Sequence, residues 1–459
     1  MRAPRIVIAG ASSNSGKTLV CMGLARALVR RGMKVACFKA GPDYIDSAYL
    51  SKASRAPCRN IDTWMMGEQY VRDTVASSAK DADIVIIEGV RSLYDGASPL
   101  EDEGSTAHIA KVLEAPVLLT INAKSLARGA AAVAKGFCCL DPKVNVCGVV
   151  LNMVKGPVHH IKATIAIRSL AGLDVYGSVR RDPAIATAMR HLGLVTVEEN
   201  ARCEEMIDAA ADVLEASADI DRICELAKSA PDLVAQPCDE PVQCGPGTVV
   251  AVAHDAAFSF NYPDTITALG RAGARIRYVS PIDDTSLPES AGALVLAGGF
   301  PECHADALCS NSGFMSCVKR AADDGMPIYA ECGGLLYLTR SLTGIDGKNH
   351  RMCGVFDADS MMHPVCQSVS YASIRSEKKT LLFEKSKVAR THEFHYSSVR
   401  TNSNDVRFAY DVLRGRGIDG RHDGLLVHNV LAQYSHVHFG SNPGCAEALA
   451  DCARGYLRR

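Results

Sequence analysis

Short apolar runs rich in β-branched residues alternate with helical stretches through the first half of the chain. The helical stretches are rich in alanine and leucine, and in segments such as TLVCMGLARALVRRG the apolar residues recur at helical spacing. Strands that alternate with helices fold into a parallel sheet that is covered by helices on both faces. The pattern therefore predicts an α/β domain whose strands are Arg5–Ile8, Lys34–Phe38, Asp83–Ile87, Val117–Ile121 and Val144–Leu151.

A change of composition divides the 459-residue chain. Residues 229–247 (SAPDLVAQPCDEPVQCGPG) contain four prolines and two glycines, which is typical of a linker between domains. A second alternating series begins with TVVAVAHDAAF and continues through ARIRYVS, ALVLAGGF and PIYAEC. We therefore predict two doubly wound α/β domains, residues 1–228 and 248–459, joined by a linker over residues 229–247.

Charge and cysteine content argue against several classes of protein. The 50 basic and 51 acidic residues give a net charge of −1, which gives no support for bulk binding to nucleic acid or to an anionic membrane. We expect no membrane span, because no apolar run reaches roughly 18 residues, and no signal peptide. The 18 cysteines include no C-x-x-C pair, which disfavours zinc fingers and thioredoxin-type motifs. Abundant thiols without an export signal favour the reducing cytoplasm.

A glycine-bearing loop, GASSNSGKT, connects the first predicted strand to the first predicted helix. Such a turn aims backbone N–H groups at an anion, and the helix dipole adds to the attraction. The lysine would reach the outer phosphates of a nucleotide, and the threonine hydroxyl would face Mg²⁺. Five residues rather than the usual four separate the two glycines, but the strand before and the helix after disfavour a chance GKT. The predicted nucleotide-binding residues are Gly10, Ser15, Gly16, Lys17 and Thr18.

Four acidic residues lie at the ends of predicted strands or in the loops that follow them. Glu88 ends a buried strand, which is the usual place for a metal-holding acid beside a P-loop, and Asp95 comes seven residues later. Asp43 and Asp46 lie beside a Gly-Pro turn in KAGPDYID. Any one of the four could be a surface charge or a helix cap. As a set at the ligand-binding edge of a parallel sheet they favour a Mg²⁺ site.

A lone cysteine lies at a sharp turn in the second half of the chain. The segment MPIYAECGGLLYLTR runs from a short strand into Cys332, then into two glycines and another apolar run. A strand that enters such a turn with a nucleophile at its apex is typical of a nucleophile elbow. Gly333 and Gly334 allow the turn, and N–H groups of the next helix can receive an oxyanion. A cysteine among apolar residues is more often part of the core, but this context favours a nucleophile.

A thiol nucleophile needs a base, and two histidines lie near the C-terminus. They occur in QYSHVHFGSNP, where His436 and His438 would face the same side of a strand. Their positions alone leave both histidines open as the base.

These motifs together resemble a known family. The stretches GASSNSGKT, KAGPDYID, EGVRSLYDG and RRDPAIATAMRHLGL occur in the order found in the cobyrinate a,c-diamide synthase family. The loop is similar to that of the dethiobiotin synthetase superfamily, and PDYID resembles the diamide synthases rather than the related cobyric acid synthases. YAECGGLLYL resembles the nucleophile segment of class I glutamine amidotransferase domains, in their cobyrinate and cobyric acid branch. The resemblance implies a P-loop ATPase domain followed by a glutamine amidotransferase domain.

The resemblance also implies roles for individual residues. The family's Tyr-x-His pattern implies that His436 is the base, with His438 as the runner-up. Since His438 stands where ordinary class I domains carry a glutamate, another group has to orient the imidazole. LAGGFPE resembles the turn that supplies an oxyanion N–H, which makes Gly299 and Gly333 the predicted oxyanion residues. THEFHYS resembles a family segment whose two histidines we expect to be structural.

In the N-terminal half the resemblance implies that Lys17, Thr18 and Glu88 hold MgATP, and Asp46 is the further predicted Mg²⁺ ligand beside Thr18 and Glu88. The residues implied to contact the substrate or its acyl phosphate are Asp43, Tyr44, Asp46 and Asp95.

The implied reaction joins the two halves. ATP would convert a substrate carboxylate into an acyl phosphate, and ammonia from glutamine would displace the phosphate to leave an amide. The implied substrate is a tetrapyrrole, cobyrinate, amidated at its a and c side chains in cobalamin biosynthesis. The same reaction on nickel sirohydrochlorin, for the methanogen nickel coenzyme, is the alternative. A P-loop ATPase that switches partner binding is a remote alternative, and a homodimer is left open.

Overall fold

The computed structural model describes residues 3–180, 196–197, 199–235, 247–403 and 406–459. The chain divides into two compact units, residues 1–239 and 240–459. This division falls within the predicted linker, while the domain boundaries themselves stay predictions. The stretch RRDPAIATAMRHLGL, part of the resemblance, lies outside the described residues apart from Arg180.

Strands and helices alternate from Arg5 to Arg180 in the N-terminal unit, and two further helices are described after them. A π-helical turn, Ile167–Ala171, follows the sixth helix. In chain order the elements are β1 (Arg5–Gly10), α1 (Lys17–Arg30), β2 (Val35–Ala40), α2 (Tyr44–Ser54), β3 (Arg59–Ile61), α3 (Glu68–Ala79), β4 (Ile84–Glu88), α4 (Thr106–Val112), β5 (Val117–Asn122), α5 (Arg128–Leu140), β6 (Val146–Val154), α6 (Pro157–Ala166), β7 (Asp174–Arg180), α7 (Cys203–Ser217) and α8 (Ile220–Lys228).

The strands of this unit form one parallel sheet in the order β3-β2-β4-β1-β5-β6-β7. Alternate residues of β1 pack into two different hydrophobic cores. Val7 and Ala9 pack with helices α3 to α5, whereas Ile6 and Ile8 pack with α1, α2, α7 and α8. Burial on both faces explains why the strand is apolar throughout. All five predicted strands are confirmed to within three residues, whereas the edge strands β3 and β7 were not predicted.

The C-terminal unit begins with the same alternation and then becomes rich in strands. Its elements in chain order are β8 (Thr248–Ala253), α9 (Pro263–Arg271), β9 (Ala274–Val279), β10 (Ala291–Leu296), α10 (Ala305–Ser310), α11 (Ser312–Asp323), β11 (Ile328–Glu331), α12 (Gly333–Leu338), β12 (Ser341–Thr343), β13 (Asn349–Arg351), β14 (Ala358–Met362), β15 (Ser368–Ser376), β16 (Val388–His395), β17 (Ser397–Thr401), β18 (Phe408–Arg414), β19 (His422–Val427), β20 (Val430–Gln433) and α13 (Pro443–Tyr456).

Nine of these strands form a mixed sheet in the order β16-β15-β18-β19-β20-β11-β10-β8-β9. The pairs from β20 to β9 are parallel, and those from β16 to β20 are antiparallel. A smaller sheet has the order β13-β12-β14-β17. The predicted α/β class is confirmed, and the antiparallel part is an addition that was not predicted. Among the described residues, no helix is both long and apolar enough to cross a bilayer.

Candidate active sites

The glycine-bearing loop lies between β1 and α1 and is held by a residue from β6. Gly16 caps α1 with a φ of 97°, a backbone conformation that favours glycine. A Cβ at Gly16 would lie 2.0 Å from Nδ2 of Asn152, and that Nδ2 donates a hydrogen bond of 3.0 Å to the Ser15 carbonyl. A Cβ at Gly10 would lie 2.5 Å from the Ser15 hydroxyl oxygen. The loop is therefore tightly built around its glycines, with the first N–H groups of α1 at its apex.

Lys17 and Thr18 open α1, and both reach toward the following loops. The Lys17 ammonium donates to the Arg91 carbonyl at 2.7 Å, and burial, with Lys39 nearby, lowers its pKa. The Thr18 hydroxyl donates to Oε1 of Glu88 at 2.7 Å, which joins the loop to the end of β4.

A buried lysine, Lys39, bonds to two of the predicted acids. The ammonium of Lys39, on β2, donates to Oδ2 of Asp46 at 2.5 Å and to Oε1 of Glu88 at 2.9 Å. Burial alone would lower the pKa of Lys39, but Asp46, Glu88 and Asp43 raise it well above its ordinary value. The lysine therefore stays charged and compensates carboxylates that would otherwise be buried without a partner.

Asp43 has a structural role besides its predicted one. Its Oδ1 accepts the Asp46 N–H at 2.9 Å, so Asp43 is the N-cap of α2, and Tyr44 is the first residue of that helix. Burial and the neighbouring Asp46 raise the pKa of Asp43 to about 6. Burial likewise raises the pKa of Glu88 to about 7, against the opposing effect of Lys39. Three predicted acids are thus brought together around one ammonium.

Asp95 lies elsewhere in the loop region that follows β4. It is exposed in a turn, where its Oδ2 accepts a weak hydrogen bond of 3.4 Å from the Ser92 N–H. The structure brings together Glu88, Asp46 and Asp43, and it leaves Asp95 on the surface.

The oxygen atoms at this site fit a hard cation. Oε2 of Glu88 and the hydroxyl of Ser15 are buried and have no hydrogen-bond partner among the described residues. Carboxylate and hydroxyl oxygens are the donors that Mg²⁺ prefers, usually completed by phosphates and water. Among the described residues no group of three or more histidine, cysteine, aspartate or glutamate side chains is arranged to hold a metal ion.

The cysteine turn in the C-terminal unit has the geometry of a nucleophile elbow. Cys332 lies between β11 and α12 with φ 46° and ψ −101°, a conformation that L-residues rarely adopt. A Cβ at Gly334 would lie 2.3 Å from the Leu296 carbonyl oxygen, so only glycine permits this close packing on β10. The thiol is 9% exposed, and its sulfur lies 3.6 Å from the Phe394 carbonyl oxygen.

The predicted oxyanion residues lie side by side. An ideal Cβ on Gly333 would be 3.0 Å from the amide nitrogen of Gly299. A Cβ on Gly299 would be 2.0 Å from the Ala257 carbonyl oxygen, which explains the need for glycine in that loop. Two backbone N–H groups beside a nucleophile suit the negative oxygen of a tetrahedral intermediate.

His436 is the histidine that reaches the thiol. Its Nδ1 lies 3.2 Å from Oε2 of Glu331, the residue before Cys332. Although burial opposes the charged form, hydrogen bonds with Cys332 and Glu331 raise the pKa of His436 to about 10. The same Glu331 carboxylate accepts the Val437 N–H at 2.9 Å and the Tyr329 hydroxyl.

His438 makes different contacts. Its Nδ1 accepts the Ser441 N–H at 3.1 Å, and its ring packs edge-on against Tyr262 at 5.1 Å. Its Nε2 lies 3.8 Å from the Asp264 carboxylate. These contacts lie at the start of α13 and none of them involves Cys332, while the choice of His436 as the base stays a prediction.

The two histidines of THEFHYS pack beside the site. The ring of His392 stacks on that of His436 with centroids 4.5 Å apart, and its Nε2 lies 3.0 Å from the Tyr262 hydroxyl. His395 stacks on Tyr434 at 3.7 Å. Burial lowers the pKa of His392 well below its ordinary value and that of His395 to about 4. Both are therefore neutral near pH 7, which agrees with the predicted structural role.

Sequence reasoning gave no role to three residues of these sites, Lys39, Asn152 and Glu331. Two of them carried a detectable signal, because Lys39 and Glu331 are charged residues within otherwise apolar strands. Such residues are almost never fully buried unless they are paired. Asn152 carried no comparable signal, since its partner Ser15 is distant in the sequence.

Two family models match the two units. The CobQ/CobB/MinD/ParA nucleotide binding domain matches residues 6–194, and the CobB/CobQ-like glutamine amidotransferase domain matches residues 249–444. The first description includes MinD and ParA, so it does not by itself separate a synthetase from a switch. The second match favours a synthetase that draws nitrogen from glutamine.

Curated relatives match over nearly the whole chain. The cobyrinate a,c-diamide synthase of Dehalococcoides mccartyi is 39% identical over 464 residues, covering 99% of each chain. That of Syntrophotalea carbinolica is 40% identical over 457 residues, with 99% of this chain and 100% of the relative covered. That of Methanosarcina barkeri is 40% identical over 480 residues, with 99% of this chain and 96% of the relative covered. This chain belongs to the cobyrinate a,c-diamide synthase family.

Membership of the cobyrinate a,c-diamide synthase family makes the chain an amide-forming enzyme that uses ATP and glutamine. The predicted family, enzyme class and two-domain α/β fold are confirmed.

Proposed function

We propose that this enzyme amidates the a and c side-chain carboxylates of cobyrinate in cobalamin biosynthesis, using ATP and glutamine. The observation that carries the proposal is the strained Cys332 elbow with His436 beside it, in a chain that also carries a P-loop. A switch ATPase has no use for a thiol held in this conformation. The full-length relatives named cobyrinate a,c-diamide synthases support cobyrinate as the substrate.

In the C-terminal unit the Cys332 thiolate attacks the side-chain carbonyl of glutamine. The oxygen becomes negative and receives hydrogen bonds from the N–H groups of Gly299 and Gly333. His436 gives a proton to the nitrogen, the C–N bond breaks, and ammonia leaves behind a thioester. Water then attacks the thioester while His436 takes its proton, and glutamate and the free thiol are released.

In the N-terminal unit the loop around Gly16 and the Lys17 ammonium hold the phosphates of ATP. A substrate carboxylate oxygen takes the γ-phosphoryl group, ADP leaves, and an acyl phosphate results. Ammonia attacks the acyl carbon, the bond to the phosphate oxygen breaks, and a proton is lost to leave the amide. Each amide consumes one ATP and one glutamine, so a diamide needs two of each.

The carboxylates beside the phosphates have separate tasks in this proposal. Thr18, Glu88 and Asp46 would hold Mg²⁺, which when bound neutralises charge on the phosphates. Lys39 keeps Glu88 and Asp46 in place, and Asp43 fixes the start of α2. The helix start at Tyr44, with Asp43 and Asp46, then faces the substrate carboxylate, and the exposed Asp95 contacts the more distant part of the substrate.

We also propose that the enzyme works in the cytoplasm. The sixteen cysteines of the described residues are all free thiols, which suits a reducing compartment. A homodimer is the oligomeric state to be tested, by light scattering of the purified enzyme.

Mass spectrometry of the product tests the proposed function. The enzyme is incubated with MgATP, glutamine and either cobyrinate or nickel sirohydrochlorin, and the products are weighed. We expect cobyrinate to gain two amides, each replacing a hydroxyl by an amino group. Amidation of nickel sirohydrochlorin alone would overturn the choice of substrate. ATP hydrolysis without release of glutamate would overturn the proposed reaction and favour a nucleotide-driven switch.

A further inference from the structure

A buried carboxylate to which the sequence motifs gave no role in the reaction lies beside the imidazole of His436. Oε2 of Glu331 lies 3.2 Å from Nδ1 of His436, which leaves Nε2 for the thiol of Cys332. Resting on the proposed roles of Cys332 and His436, we propose that Glu331 is the positioning residue of the glutaminase site, fixing the orientation and tautomer of that imidazole.

The carboxylate is itself fixed. Its Oε1 accepts the Val437 N–H at 2.9 Å and the Tyr329 hydroxyl, so the group cannot rotate without losing two buried hydrogen bonds. Only its second oxygen is directed at the imidazole. In its neutral form, an imidazole whose second nitrogen is held by an anchored acid keeps one tautomer, so its other nitrogen takes the thiol proton and the acid stabilises the imidazolium that results.

Two other buried carboxylates of this unit, Glu393 and Asp423, show what a structural acid looks like. Glu393 accepts the N–H groups of Arg416 and Gly417 and the hydroxyl of Ser368. Asp423 accepts the N–H groups of Gly424, Tyr434 and Ser435. Both are bonded to backbone N–H and hydroxyl groups. Glu331 differs because one of its oxygens, Oε2, contacts a titratable ring, the imidazole of His436.

The ring of His436 contacts a carboxylate, a thiol and a neighbouring imidazole. The titratable groups that face it are Glu331 and Cys332 from β11 and its elbow, and His392 and His395 from β16. Both β16 histidines are neutral near pH 7, and the His392 ring serves as a flat surface on which the His436 ring stacks. Glu331 is therefore a carboxylate partner, besides the Cys332 thiolate, of an imidazolium formed during the reaction.

A glutamine at position 331 would test this chemistry with little change of shape. Its carbonyl oxygen would stay with the Val437 N–H and Tyr329 hydroxyl, so its NH₂ group would face Nδ1 of His436. Nδ1 would then have to accept a hydrogen bond, so the ring hydrogen would lie on Nε2, facing the sulfur of Cys332. A base in the wrong tautomer loses roughly 10²- to 10⁴-fold in rate.

The experiment compares Glu331→Gln with Glu393→Gln, a matched loss of a buried carboxylate that does not touch His436. We expect Glu331→Gln to lower the kcat of glutamate release by at least about 100-fold. It should also slow the alkylation of Cys332 by iodoacetamide between pH 6 and pH 9, followed on the Cys332 peptide by mass spectrometry. Glu393→Gln should keep both rates within a few-fold of the wild type. Should Glu331→Gln fail to fold, Glu331→Asp serves instead, with a smaller loss of both rates.

The outcomes separate this inference from the function on which it rests. If Cys332→Ala still releases glutamate, the proposed nucleophile is wrong. If Cys332→Ala is inactive while Glu331→Gln keeps the wild-type rate and alkylation profile, the inference alone is overturned. Equal losses in Glu331→Gln and Glu393→Gln would assign Glu331 a merely structural role.

Discussion

Single charged residues determine the electrostatics of both sites. At the phosphate site the ammonium of Lys39 compensates Asp46 and Glu88, and at the thiol site Glu331 faces His436. Each of these charged groups is at least four-fifths buried, so removing one member of a pair leaves a buried charge without that partner. Removing one partner should therefore affect one reaction strongly and leave the chemistry of the other unit unchanged.

Asp46→Asn tests this separation at the phosphate site. The change removes the carboxylate that lies 2.5 Å from the Lys39 ammonium and, in the proposed function, one ligand of the metal. We expect amide formation to fall by roughly 100-fold or more while glutamate release persists. Asp83→Asn, which alters an exposed acid at the other end of the same sheet, is the control. Equal loss of both activities in a folded Asp46→Asn variant would contradict the separation.

The stability of the C-terminal unit should depend on pH through His436. Its pKa is raised to about 10 in the fold, against about 6.5 in an unfolded chain, by hydrogen bonds with Cys332 and Glu331 that overcome burial. Because the folded state holds this proton more firmly, the stabilisation is complete below about pH 6.5 and is lost as the pH rises through about 10. We expect the melting temperature of the wild type to fall more between pH 7 and pH 10 than that of His436→Gln. Parallel curves would show that the fold gains nothing from the proton.

At the scale of elements, the P-loop depends on a strand two positions away in the sheet. The order β1-β5-β6 places Asn152, on β6, where its side chain holds the loop by the Ser15 carbonyl. The strand that supports the phosphate site is therefore not one that the loop itself connects.

Asn152→Ala removes that support. The loss of one buried hydrogen bond costs about 1–3 kcal/mol, which is equivalent to a weakening of ATP binding by roughly 5- to 150-fold if the whole cost falls on binding. The control is Asn122→Ala, because Asn122 is the register partner of Asn152 on the neighbouring strand and bonds to the Lys124 N–H instead. Calorimetry with ATP compares the two variants. Unchanged affinity in Asn152→Ala would show that the loop keeps its shape without β6.

The elements also show where sequence patterns suffice. Central parallel strands such as β1 and β4 are apolar on both faces, so a short unbroken apolar run identifies them. Strand β16, VARTHEFH, is largely polar, yet Thr391, His392 and Glu393 are buried in succession by partners that are far along the chain. The sites show a similar division between what local sequence predicts and what requires the fold. Local motifs predicted Cys332 and the P-loop. The contact of Glu331 with His436 joins residues 105 positions apart and required the fold.

At the scale of the whole molecule, each unit carries one half of the reaction. Ammonia is the reactant that the two halves share, so ammonium salts should replace glutamine. We expect Cys332→Ala to lose amidation with glutamine and to regain it with ammonium at high pH, where free ammonia is abundant. Lys17→Ala should release glutamate but form no amide with either nitrogen source. If ammonium fails to restore amidation in a folded Cys332→Ala variant, the thiol has a task beyond the supply of nitrogen.

The arrangement of β11 and β20 has a consequence for how heat inactivates the enzyme. Glu331 and Cys332 are joined by one peptide bond, and the Cys332 N–H bonds to the carbonyl of Gln433, three residues before His436. Glu331, Cys332 and His436 are thus all held at the ends of two paired strands, β11 and β20, in the middle of the sheet, rather than by separate mobile loops. Glutaminase activity should therefore survive on warming until that sheet itself melts.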